Sequence, residues 1–164
     1  MPVVSNTSPL MNLAIIGRLE LVRHQFGEIW IPPAVLKEFR LGEDLPGCRA
    51  VAESIETGWL VVKEVADDAL VQVLQRDLDQ GEAEAIALAL QVRASWLLLD
   101  EREARRMAKL LELKVTGLLG ILLRAKYDGE FASLREVMER LQNQAGFHIA
   151  PELFAEILQR VREI

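Results

Sequence analysis

Five short runs, apolar on both faces and separated by helix-patterned segments, constrain this chain more than any other feature. They are Val3-Val4, Ile29-Trp30-Ile31, Leu60-Val61-Val62, Trp96 to Leu99 and Lys114-Val115-Thr116. A strand with one wet face alternates apolar and polar residues. These runs do not alternate, so they predict strands covered on both sides, as in a parallel sheet between helices. The expectation is an α/β architecture: three α/β/α layers around a central, mostly parallel sheet of about five strands. Residues 1–164 suit one domain, and with 51% apolar residues it can bury a sizeable core.

No apolar run approaches the roughly 20 residues that cross a bilayer, so no membrane association is expected. The N-terminal Met-Pro-Val-Val-Ser has no basic region of the secretory kind. The single cysteine, Cys48, allows no internal disulfide and suits a reducing compartment. A cytoplasmic protein is expected. The net charge of −6 argues against a general nucleic-acid coat. It is compatible with an acidic pocket that a cation neutralises.

The helices carry start signals. Ser8-Pro9 and Pro32-Pro33 place proline at a first helical position. Asp79-Gln80-Gly81-Glu82 reads as a capping box opening a helix to about Val92. Asp100 to Glu103 and Ser133 to Glu136 read the same way, and Gly42 to Gly47 reads as a loop. After Pro151, residues Leu153, Phe154, Ile157, Leu158 and Val161 form one apolar stripe, fit to cover the sheet or a partner. The three tryptophans, in or beside strands, are expected to pack in the core.

Sites in open α/β sheets form beyond the carboxyl ends of strands. Asn6, Asp100 and Thr116 stand there. Glu38 and Glu84 add carboxylates on nearby helices. At 100° per residue Glu82 and Glu84 point about 160° apart, so one pocket does not easily take both. Glu82 is the capping-box residue. Glu84 interrupts an alanine-rich helix and needs a partner there. It is favoured as the site residue, with Glu82 as the alternate.

The segments Val-Ser-Asn-Thr-Ser-Pro-Leu (4–10), Ile-Pro-Pro-Ala-Val-Leu-Lys-Glu-Phe (31–39), Gly-Glu-Ala-Glu-Ala-Ile-Ala-Leu-Ala (81–89) and Leu-Leu-Leu-Asp-Glu-Arg (97–102) occur in this order. Together they resemble the PIN domain superfamily, most of all its VapC-like members. The resemblance covers about residues 2–127, leaving C-terminal helices at about 133–164 to pack on that core or on a partner. It implies a metal-dependent endoribonuclease that holds Mg²⁺ or Mn²⁺ on carboxylates and leaves 5′-phosphate and 3′-hydroxyl ends. It also implies the toxin role of a toxin–antitoxin pair, an antitoxin partner and a homodimer. Glu38, Glu84 and Asp100 match the second, third and fourth acidic positions. Asn6 matches the first, where the family usually has Asp. Asparagine can coordinate through its carbonyl but adds no charge and no base. By the same resemblance Thr7, Ser8 and Thr116 would orient the site.

RNA must be held beside the acids. Arg102, Arg106 and Lys109 fall at i, i+4 and i+7 on the helix that follows Asp100, a stripe suited to phosphates. Each of these residues also has an ordinary use, as cap, turn or solvated surface. His24 and His148 are isolated and read as structural. Because Asn6 replaces an acid, the alternative function is a PIN-like module that binds nucleic acid or protein with weakened or no catalysis.

Overall fold

The computed structural model describes residues 1–163. The last residue of the expected domain, 164, lies outside the described residues. Five strands form one sheet: β1 (Val3–Ser5), β2 (Ile29–Ile31), β3 (Leu60–Val62), β4 (Trp96–Leu98) and β5 (Val115–Thr116). All pairings are parallel, in the order β3-β2-β1-β4-β5. The helices are α1 (Thr7–Ile15), α2 (Glu20–Phe26), α3 (Pro33–Glu38), α4 (Cys48–Thr57), α5 (Asp68–Leu74), α6 (Gln80–Val92), α7 (Arg102–Leu110), α8 (Leu118–Tyr127), α9 (Leu134–Gln144) and α10 (Pro151–Arg160). Among the described residues no helix is long and apolar enough to cross a membrane.

Strand pleating divides the core into two layers. Val3, Ile29, Ile31 and Leu98 pack with α1, α2, α4, α8 and α9 on one face. Val4, Leu97 and Leu99 pack with α5, α6 and α7 on the other. Successive strand residues point to opposite faces, so Leu97 and Leu98 serve different layers. Helix α6 lies close to the sheet because its side chains are small: Ala83, Ala85, Ala87 and Ala89 are all buried. It is apolar nearly all round, as a buried helix must be.

The chain leaves β1 to build one half of the sheet and returns beside β1 as β4. Their carboxyl ends adjoin at this topological switch, where Asn6 N–H donates to Leu98 O at 3.0 Å. Open α/β sheets place their ligands in that crevice.

Several local expectations change. Helix α1 starts at Thr7, so Ser8 lies inside it, and the Asn6 side chain makes no capping bond. Asp100 does not cap α7; Glu101 occupies that position without a side-chain bond. Asp100 is instead held by Ser8 and by the Leu118 N–H. The 42–47 loop overlaps a 3₁₀ turn at Leu41–Glu43. Trp96 is exposed, while Trp30 is half-buried with Lys63 Nζ 4.5 Å from its ring centre. The apolar stripe of α10 is used within the chain: Ile157 and Leu158 are buried in the core, and Phe154 and Val161 pack against it.

Candidate active site at the β1–β4 crevice

Two consecutive residues after β1 reach two distant acids. Thr7 Oγ1 donates to Glu38 Oε1 at 3.1 Å, and Ser8 Oγ donates to Asp100 Oδ2 at 3.3 Å. Adjacent Cα atoms are only about 3.8 Å apart. One short stretch of backbone therefore ties down both carboxyl groups. Ser8 is steadied in turn by Asn12 Nδ2 at 3.0 Å.

Asp100 is mostly buried. Its Oδ1 accepts the Leu118 N–H at 2.8 Å. Burial raises its pKa and the Glu101 charge adds to that, while Leu118, Ser8 and Arg105 offset part of the rise. Arg105 Nη1 donates to Leu99 O at 2.8 Å, which fixes the guanidinium near Asp100. Gly117 makes this approach possible: a Cβ there would lie 2.6 Å from Asp100 Oδ1 and 2.9 Å from Arg105 Nη1.

Glu38 closes α3 at the surface, with its carboxyl group over Gly81 of α6. A Cβ at Gly81 would fall 2.0 Å from Glu38 Oε2. Desolvation and the Asp79 charge raise the Glu38 pKa, and Glu84 adds to this; the Thr7 hydrogen bond opposes it.

The two α6 acids are separated. Glu82 completes the capping box, accepting from Asp79 N–H at 3.1 Å while Asp79 Oδ1 accepts the Glu82 N–H at 2.8 Å. Only 8% of Glu82 is exposed. Desolvation raises its pKa against the Asp79 hydrogen bond, with added repulsion from Asp79, Glu101 and Glu38. Glu84 points to α3: Oε1 accepts the Ala34 N–H at 3.0 Å and Oε2 accepts from Gln80 Nε2 at 2.9 Å. Glu84 thus supplies the acceptor that the proline-led start of α3 lacks.

Asn6 is buried, and its Oδ1 has no hydrogen-bond partner among the described residues. Such an oxygen costs roughly 1–3 kcal/mol unless something meets it. Thr116 lies at the end of β5, where a Cβ on Gly120 would come within 2.5 Å of its Oγ1. Arg102, Arg106 and Lys109 are exposed along α7, with Arg106 paired to Glu103 at 3.1 Å. Arg105, Asp79 and Glu101 are site neighbours that pattern reading missed. The glycines inside or beside helices, Gly81 and Gly117, were the available signal of close approach.

The sequence matches the model of the family DUF3368, described as a PIN domain, over residues 2–163. The chain belongs to this PIN-domain family. No curated protein matches it. PIN domains are nucleases as a class, act on nucleic acid and generally use divalent metal ions.

Among the described residues of this PIN domain, no group of three or more His, Cys, Asp or Glu side chains is placed to hold a metal ion. The donor chemistry still suits a hydrated hard cation. Asn6 Oδ1 is an oxygen without a donor, and Glu38, Glu82 and Asp100 all carry raised pKa values that nearby positive charge would lower. Mg²⁺ keeps several waters and often takes only one or two carboxylates. The residues fit an ion held in that partial way.

Proposed function

We propose that this PIN domain is a VapC-like endoribonuclease that hydrolyses RNA phosphodiesters with Mg²⁺ or Mn²⁺, in the cytoplasm, as the toxin of a toxin–antitoxin pair. The observation that carries the proposal is the pair of hydrogen bonds from Thr7 and Ser8 that draws Glu38 and Asp100 to the end of β1.

Glu38 and Asp100 would hold the ion, with Asn6 as a neutral ligand and a further carboxylate from α6. Glu84 is the match by family motif. Glu82 is favoured by its repulsion with Glu38 and Glu101, because Glu84 already serves Ala34 and Gln80. When bound, the ion would supply Lewis-acid polarisation of the phosphate and activation of water. The chain's own part is to orient. Thr7 and Ser8 fix the two carboxyls, Leu118 N–H fixes the second Asp100 oxygen, and Thr116 stands at the neighbouring strand end. Arg102, Arg106 and Lys109 would bind RNA phosphates beside the centre. Overall, water oxygen bonds to phosphorus, the P–O3′ bond breaks and a proton ends on the 3′ oxygen, giving 5′-phosphate and 3′-hydroxyl products. The homodimer of the resemblance would need a face other than the α10 stripe, whose central residues are buried within the chain.

The test is cleavage of a mixed RNA pool with Mn²⁺, repeated with Asp100→Asn and Asn6→Asp. Metal-dependent cutting that Asp100→Asn abolishes is expected, with Asn6→Asp cutting at lower metal concentration. Silence from all three refutes the nuclease and supports a second reading, a nucleic-acid- or protein-binding PIN module, which the neutral Asn6 favours. A short neighbouring reading frame for a DNA-binding antitoxin is the expected genetic context.

A further inference from the structure

A second cavity opens on the far side of Asp100. It has a volume of about 370 Å³, and its walls include Asp100, Arg105, Thr116, Gly120, Phe147 and His148. Its outer wall comes from the segment between α9 and α10, with Leu153 of α10 beside it. That segment lies outside the motifs that carry the acids.

The lining is mixed in a particular way. Phe147 is half-buried against the core and His148 is exposed, so two planar side chains are among the lining. Arg105 spends one donor on Leu99 O. A guanidinium has five, so others remain for an occupant. Thr116 adds a hydroxyl, which packs directly over bare Gly120: a Cβ there would lie 2.5 Å from Thr116 Oγ1 and push it out of place. Flat faces with a few polar groups at the edge suit a nucleobase, which stacks through its π-face and is read along its rim. The exposed cations of α7 run along the same helix that sends Arg105 inward. A strand whose phosphates follow that face could turn one base into the cavity.

We infer that this cavity is a nucleobase subsite that takes the nucleotide next to the scissile phosphate and gives the enzyme a base preference at its cut. The inference rests on the nuclease proposal for its place in a reaction, but the binding it requires does not depend on cleavage. Asp100 belongs to both compartments, so a base seated here adjoins the bond that the acids act on.

The experiment uses the full chain in EDTA, titrated with each of the four ribonucleoside 5′-monophosphates. Amide shifts of Gly117, Gly120 and His148 are followed by NMR, with His148→Ala and Phe147→Ala alongside. At least one nucleotide is expected to move these resonances. Each variant should weaken that binding about tenfold, the scale of one lost stacking contact. His148→Ala alters an exposed side chain and guards against misfolding of Phe147→Ala. Where RNA is cut, sequencing the ends should show a preferred base beside the break that both variants flatten. If no nucleotide moves these resonances, or if both variants bind as the parent does, the subsite is overturned. Nucleotide binding lost in the variants, with no RNA cut by the parent, leaves the subsite standing and removes the nuclease.

Discussion

Gly81→Ala should separate stability from activity. Gly81 is in the first turn of α6 and is buried, and it is absent from the positive-φ glycines, so alanine suits its backbone. Helix propensity favours alanine over glycine by about 1 kcal/mol in a helix interior. The new Cβ would sit 2.0 Å from Glu38 Oε2 and 2.6 Å from Oε1, whereas ordinary contact begins near 3.4 Å, so the carboxyl must retreat about 1.4 Å. It is the far end of a flexible, exposed side chain, so it can move at small cost. The net stability change should lie between zero and a gain of about 1 kcal/mol. Activity should not be spared, because misplacing a catalytic group by about 1 Å costs on the order of 10²-fold. Urea denaturation measures the first quantity, and Mn²⁺-dependent cleavage of a labelled RNA the second. In a Glu38→Ala background, Gly81→Ala should reduce cleavage no further, because the two changes share one target. Parental cleavage by Gly81→Ala would refute the placement of Glu38 in the site. A stability loss beyond about 1 kcal/mol would refute the claim that only a mobile side-chain end gives way.

Three other outcomes follow from the same contacts. Glu84→Ala should cost about 1–2 kcal/mol in urea denaturation, because the Ala34 N–H loses its acceptor; an unchanged midpoint would return Glu84 to a purely functional role. Burial raises the Asp100 pKa, so its ionised form costs stability near neutrality and the parent gains as pH falls through that raised value. Asp100→Asn should therefore be more stable than the parent near neutrality, by a margin that shrinks as the pH falls through the raised Asp100 value, in paired denaturation curves. Glu163 behaves oppositely. Desolvation pushes its pKa up, but the N–H groups of Arg135 and Leu134 and the Lys126 ammonium outweigh it and hold the value low. Its contribution is present above the unfolded carboxyl's pKa and is lost as pH falls through the lowered one, so Glu163→Gln should cost about 1 kcal/mol near neutrality and nothing in acid.

The strand runs and the acid-bearing motifs were legible in the sequence because they depend on local rules. Ile29–Ile31 and Leu60–Val62 are strands over the residues that pattern alone delimits. The Asp79–Glu82 capping box forms as spacing predicts, since all its partners lie within one helical turn. Ser133 caps α9 as expected, and Glu163 adds acceptors for the next two amides, Leu134 N–H and Arg135 N–H, at 2.6 and 3.0 Å. Nothing local could reveal that, because the two segments meet only after α10 folds back.

The sequence by itself determined a parallel sheet covered on both faces and the placing of Asn6 and Asp100 at strand ends, since both follow from side-chain period and chain order. Only the tertiary structure decided how the acids are shared out. Docking α3 on α6 gives Glu84 to a backbone amide and leaves Glu82 buried among other carboxylates. Pairing of β5 with β4 sets Gly117 beside Asp100 and Arg105. The physical reason is that a carboxylate's role depends on which donors and charges reach it, and those arrive from parts of the chain that helix and strand periodicity cannot relate.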